Sequence, residues 1–130
     1  MKKHNAFTLI ELMVVILIVA VLAAAAVPLM RGRIDRGKWT EANAAAGSIR
    51  TAMKTYFMET GNTVTGSLSN ASVQQALNTQ AADLTGSYFA ASDYVIDSVS
   101  VDGVAVVTAT GSQSNAPSGS KTLALDGTFE

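Results

Sequence analysis

Residues 7–30 read FTLIELMVVILIVAVLAAAAVPLM, an apolar run that begins at Phe7, ends at Met30 and carries one charge, Glu11. At 1.5 Å per residue the run makes about 36 Å of helix, enough to cross a bilayer core of roughly 30 Å with some tilt. It reads as a membrane-spanning helix. A cleaved secretory signal is the rival, because residues 1–4 give a short basic start and residues 23–26 are all Ala, small enough for a cleavage site. Against it, the run is longer than an ordinary signal core and holds a carboxylate near its beginning.

Glu11 admits two chemical readings. A lone acidic group at the centre of a membrane helix costs roughly 2.5–3.5 kcal/mol on insertion-based scales, and ionisable groups at that depth usually face a partner or a pathway. Alternatively, Glu11 lies only four residues into the run, at the interface, where it favours the positive end of the helix dipole. The chemistry alone leaves both open, and the flanking residues carry the decision.

The string Phe7-Thr8-Leu9-Ile10-Glu11-Leu12-Met13-Val14-Val15-Ile16, preceded by Lys2, Lys3 and a small residue at Ala6, closely resembles the N-terminal signature of type IV pilins and type II secretion pseudopilins. Pro28 falls where many members carry a proline in the first helix. The resemblance covers residues 2–30, and Ala6 stands where the family usually has Gly. It implies that a prepilin peptidase cuts between Ala6 and Phe7, that the new Phe7 amine is N-methylated, and that the apolar helix stays with the mature protein. It further implies that Glu11 pairs with the Phe7 amine of a neighbouring copy. Neither charge is stable unpaired among packed apolar helices, and a buried polar contact of this kind fixes register in coiled coils. Phe7, Glu11 and Pro28 are thus the expected assembly residues, and Ala6 and Phe7 the expected processing residues.

Topology contains a conflict. Lys2 and Lys3 precede the span, whereas Arg31, Arg33, Arg36 and Lys38 follow it, and a Lys/Arg count places the C-terminal side in the cytoplasm. The family resemblance implies the opposite, N-in and C-out, with a pool of precursor and subunit in the inner membrane. The four cations then face anionic head groups or the acidic surface of a neighbour.

Composition removes most other chemistry. At 130 residues the chain suggests one globular domain. With no Cys it has no thiolate, disulfide or zinc knuckle, and a single His, His4, excludes a multi-His metal site. The charges are also unevenly placed. Residues 1–60 hold eight Lys or Arg against four Asp or Glu, and residues 61–130 hold one against six, so the halves are net +4 and −5. An acidic C-terminal half repels phosphates, and no nucleic-acid partner is expected.

Helix is predicted to continue through a stem, residues 31–60, stopping at Gly61-Asn62. Ala42, Ala45, Ile49, Ala52, Met53 and Tyr56 recur at intervals of three and four and form the face predicted to pack on a sheet. Pro28, Gly32 and Gly37 mark an expected bend or softened segment. Residues 61–93 are rich in Thr, Ser, Asn, Gly and Ala and read as a long loop with one short helix over residues 72–78. Residues 94–101 and 104–110 are two β-rich runs predicted to join through a two-residue Asp102-Gly103 turn. After a polar loop, residues 111–120, containing Pro117, residues 121–125 and 128–130 form a weaker turn and edge strand around Asp126-Gly127. The expected fold is α+β and pilin-like: a leader over residues 1–6, a long helix over residues 7–60 whose first half spans the membrane, and a head over residues 61–130 with a small antiparallel sheet laid on the helix.

The head offers little chemistry. Asp93, Asp97 and Asp102 lack the spacing of a calcium loop, so no metal or cofactor is expected. Tyr88, Phe89 and Tyr94 are read as packing residues, and Trp39, Tyr56 and Phe57 are spaced too widely for an electron-transfer stripe. Asn70-Ala71-Ser72 matches a glycosylation sequon of a very common kind. The chain therefore reads as a non-enzymatic structural subunit of a type IV pilus-like filament. Its implied partners are other copies of itself, a prepilin peptidase, the inner-membrane assembly machinery and, before assembly, the lipid bilayer. The alternatives are a type II secretion pseudopilin in a periplasmic filament and a single-span membrane-anchored binding domain.

Overall fold

A computed structural model describes residue 1 and residues 6–130; Lys2, Lys3 and His4, which carry the basic start, lie outside the described residues. The order of elements is α1 (Leu9–Thr60), β1 (Gly66–Ser67), α2 (Ala71–Ala76), α3 (Ala81–Leu84), a single 3-10 turn (Ala91–Asp93), β2 (Tyr94–Val99), β3 (Ala105–Thr110) and β4 (Ser120–Leu123). The strands form one antiparallel sheet in the order β1-β2-β3-β4. The fold is thus α+β and pilin-like, a long N-terminal helix packed against a small four-stranded sheet.

Helix α1 is 52 residues long and stays helical through Pro28, Gly32 and Gly37, so the expected bend brings no break in the helix. Pro28 lacks a backbone N–H and leaves the Ala24 carbonyl without its helical donor. The helix ends where the sequence signals its end. Gly61 takes φ +70°, and its N–H donates to the Phe57 carbonyl at 2.8 Å. Two compact units divide the chain, residues 1–34 and residues 35–130.

In the second unit, Ala42, Ala46, Ile49 and Met53 of α1 are all at most 1% exposed and form the core with Leu68, Phe89, Tyr94, Ile96, Ala105, Val107, Ala109 and Leu123. The stripe is centred on Ala46 rather than on Ala45 and Ala52, which sit at its partly buried margins with Tyr56. Ile49 and Met53 are the largest of these helix side chains and fill the core with Tyr94, Phe89 and Leu68. Burying one such aliphatic side chain is worth about 1.5–3 kcal/mol.

Polar side chains on both flanks of this stripe hold the head to the stem. At 3.6 residues per turn, Lys38 and Glu41 fall on one side of it and Arg50 and Lys54 on the other. The Glu41 carboxylate accepts N–H bonds from Ser87 at 3.1 Å, Tyr88 at 2.9 Å and Phe89 at 3.1 Å. Lys38 donates to the Asn115 carbonyl at 2.8 Å, and Asn115 in turn donates to the Ser87 carbonyl. Across the stripe, Arg50 donates to the carbonyls of Ala105 at 2.9 Å, Leu123 at 2.8 Å and Ala124 at 2.5 Å. Partial burial draws the Arg50 pKa down and Asp126 opposes the effect, yet a guanidinium stays charged. Lys54 donates to the Asp102 carbonyl at 2.6 Å.

The β2-β3 connection differs from the expected two-residue turn. Strands end at Val99 and resume at Ala105, with Gly103 N–H donating to Ser100 O and Ser100 N–H to Val104 O, both at 2.9 Å. A two-residue Asp-Gly turn requires positive φ at both positions. Only Gly103 takes it, at +77°, and a Cβ there would run into the Phe57 ring. A bulge between Ile96 and Ser98 re-aims Asp97, which accepts a hydrogen bond from Thr108 at 2.5 Å. The predicted end strand is present as backbone pairing of Thr122 with Glu130 and a bridge between Leu123 and Phe129. The predicted short helix is α2, begun by an Asn70 side chain that accepts from Ser72 N–H at 3.1 Å.

Tyr94 is fully buried, and its hydroxyl has no hydrogen-bond partner among the described residues. Burial first, then the carboxylates of Glu41 and Asp93, push its pKa well above the usual 10. Above about pH 10 the unfolded chain gives up this proton while the folded chain keeps it, so the folded state loses stability as pH rises. Tyr94→Phe removes an unmet polar group and is expected to be neutral or stabilising by up to about 1 kcal/mol at pH 7. Its stability should also fall less steeply above about pH 10 than that of the wild type. Urea titrations of the detergent-solubilised chain, followed by the fluorescence of its single Trp, measure both.

Candidate functional site

The segment singled out in the sequence lies at the start of α1. Ala6, Phe7 and Thr8 precede the first helical residue, have no regular secondary structure and are exposed. The Ala6-Phe7 bond therefore lies on accessible, non-helical backbone.

Thr8 and Glu11 form a reciprocal cap. The Glu11 carboxylate accepts through Oε2 from the Thr8 N–H at 2.8 Å and from the Thr8 hydroxyl at 2.9 Å, and the Glu11 N–H donates to Thr8 Oγ1 at 3.3 Å. This is the S/T-x-x-E capping box, which satisfies donors that a helix start otherwise leaves open. Thr8 is the functional neighbour not singled out in the sequence, although the Thr-x-x-Glu spacing was visible there. One carboxylate oxygen is thus committed within the chain, and Oε1 has no partner among the described residues.

Around the cap, Phe7, Ile10, Glu11, Val14 and Val15 line an open groove. The surface from Phe7 to Met30 is apolar apart from Glu11 and is exposed among the described residues: Phe7 is 80% exposed, Ile16 66%, Leu22 64% and Leu29 73%. The most apolar window of α1 has a mean hydropathy of 3.0 and none of it is buried, which makes α1 a helix long and apolar enough to cross a membrane. Pro28 sits within the helix, two turns before Asp35 opens the second unit.

The acidic side chains of the head are dispersed. Asp93 is buried, accepts the Ala90 N–H at 2.9 Å and is hydrogen-bonded by the Ser112 hydroxyl. Asp97 receives Thr108, and Asp126 closes its own turn through the Thr128 N–H and hydroxyl, bonds that hold its pKa below the ordinary carboxylate value. Among the described residues, no three His, Cys, Asp or Glu side chains group in a way that would hold a metal ion. Tyr88, Phe89 and Tyr94 pack as expected, with the Phe89 and Tyr94 rings 6.1 Å apart.

A long helix whose first half is apolar and carries a carboxylate in its first turn, followed by a small antiparallel sheet, defines a pilin-like α+β class of protein, and two likenesses make it specific. The family model described as the prokaryotic N-terminal methylation motif matches residues 1–27. The fimbrial protein EcpC of Eikenella corrodens is 35% identical over 132 aligned residues, which cover 98% of this chain and 76% of that protein. The chain belongs to the type IV pilin family, and it is a pilin-like fimbrial subunit.

Proposed function

We propose that the chain is the structural subunit of a type IV pilus-like surface filament, held together by packing of the residue 7–34 segments of neighbouring copies. The carrying observation is an apolar helical surface that nothing among the described residues covers, interrupted by one carboxylate in its first turn. Lipid covers this surface before assembly and other copies cover it afterwards. Cleavage after Ala6 leaves a cation on Phe7, and the free Glu11 Oε1 is its acceptor on the neighbouring copy. Pairing removes two desolvated charges at once.

Processing has a direct readout. Intact mass measurement of the purified protein should show loss of residues 1–6 and one added methyl group at Phe7; an intact precursor would mean a membrane-anchored domain instead.

Glu11→Gln should leave membrane insertion unchanged and abolish or cripple filaments seen by electron microscopy of the cell surface. Wild-type filaments confined to the periplasm would point to a pseudopilus, and normal filaments from the variant would remove Glu11 from assembly.

The orientation is N-in and C-out. A reporter that matures only outside the cytoplasm, fused after Lys54, should be active; an inactive fusion at normal protein level would reverse the assignment and give the Arg31, Arg33, Arg36 and Lys38 cluster its ordinary cytoplasmic side.

A further inference from the structure

Two surfaces at opposite ends of the head-bearing unit each have an unmet half. At one end, Arg36, Trp39, Thr40 and Asn43 of α1 and Lys121 and Phe129 of the sheet line an open notch. Its floor is aromatic, with the Trp39 and Phe129 rings 6.1 Å apart at 62° and the Lys121 ammonium 5.9 Å from the Trp39 ring centre. The Arg36 guanidinium at its rim is exposed and has no hydrogen-bond or ion-pair partner among the described residues, since nearby Asp35 is taken by Lys38 at 3.9 Å. Glu130 pairs with Thr122 and so lies on the opposite sheet face from Phe129 and Lys121.

At the other end stands the β2-β3 tip. Val101 is 91% exposed, the most exposed large apolar side chain of this unit, and the Asp102 carboxylate beside it accepts no hydrogen bond from the described residues. The tip is rigidly presented. Lys54 holds the Asp102 carbonyl at 2.6 Å, Gly103 lies against the Phe57 ring, and Ser100 makes backbone bonds to Gly103 and Val104. An apolar knob with a carboxylate thus faces solvent at one end, and an aromatic notch with two cations at the other.

The two cannot meet within one copy. Arg36 and Lys54 are 18 residues apart on α1, which is five whole turns. Notch and tip therefore lie on the same flank of the helix, about 27 Å apart along its axis. We infer that the Val101-Asp102 tip of one copy seats in the Trp39-Phe129 notch of the next, with the Asp102 carboxylate meeting Arg36 and Lys121 of that neighbour. The contact joins two different patches by a shift along the helix, so it is heterologous, and repeated shifts of that kind generate an open filament rather than a closed dimer. The charge pair sets which end meets which, and Val101 on the rings supplies the desolvated centre.

The inference rests on the filament reading, and its test separates the two. Arg36→Glu and Asp102→Arg, made singly in the full-length chain in its own membrane, should each lower filament yield about tenfold or more, because each sets like charges against one another. The double variant should recover to within about twofold of wild type, since the reversed pair attracts again. Immunoblots of membrane fractions confirm equal subunit levels. A second arm does not depend on yield. The chain has no Cys, so Thr40→Cys with Val101→Cys should give a ladder of disulfide-linked oligomers on oxidation of sheared filaments, and neither single variant should. Filaments that tolerate both single reversals and yield no ladder overturn the tip-in-notch contact while leaving the filament reading intact. Absence of filaments from wild-type cells overturns both.

Discussion

The constraint on which the rest depends is an apolar surface left exposed among the described residues. Seventeen large apolar side chains from Phe7 to Ile34 are half or more exposed. Even at about 1.5 kcal/mol each, burying them is worth tens of kcal/mol, more than the 5–15 kcal/mol by which a typical domain is folded. Leaving that surface in water is therefore not an available state. Lipid or copies of the same helix must cover it. Since leucine on leucine is hardly better than leucine on lipid, tight approach and the few polar contacts decide whether helices stay apart or assemble.

The stem obeys a different rule in the same helix. Ala42, Ala46, Ile49 and Met53 give only four fully buried positions to the head, a narrow contact for a domain that must stay attached. With no Cys, the contact is made without a disulfide. Charged side chains bonding to backbone reinforce it: Glu41 to three N–H groups on one flank and Arg50 to three carbonyls on the other. Hydrogen bonds to charged groups contribute roughly 1.5–3 kcal/mol, about twice a neutral one, and they act on loop and strand ends with no helical or sheet partner of their own.

Much of this fold was legible because long periodic or uniform segments speak for themselves. The run of residues 7–30, the stop at Gly61, the apolar stripe of the stem and the β2 and β3 runs all show in the sequence. The stripe holds at all six positions read from the sequence and adds Ala46, since a run of three Ala at residues 44–46 has no preferred phase and only the sheet selects the most buried one. The two-residue strand β1 and the four-residue helix α3 had no period to show, and their existence depends on Gly66 pairing with Ile96 and on Leu84 reaching the core. Asp102-Gly103 misled because the dipeptide fits two turn types, and the strain of positive φ at Asp102 favours the longer one. Glu41 and Arg50 looked like ordinary surface charges on a helix. Their roles depend on loops some 46 to 74 residues away, which no local spacing encodes.

On the proposed filament reading, Glu11 answers two requirements in turn. Held by Thr8 at 2.8 and 2.9 Å, it closes the open donors of the helix start, so a single copy can sit in a membrane without a bare carboxylate. The same bonds fix the carboxylate at the first turn before any neighbour arrives, so little rotamer freedom remains to be lost on pairing. A capping acid alone would be equally served by Asp or by a surface position. Placing it inside an apolar run that otherwise has no landmark converts a local cap into the one polar mark along the span, and a lone polar mark on an apolar surface can match a counter-charge at only one offset. The bonds to Thr8 thus satisfy the helix start within one copy, and in the proposed filament the oxygen they leave free is the one that would set register.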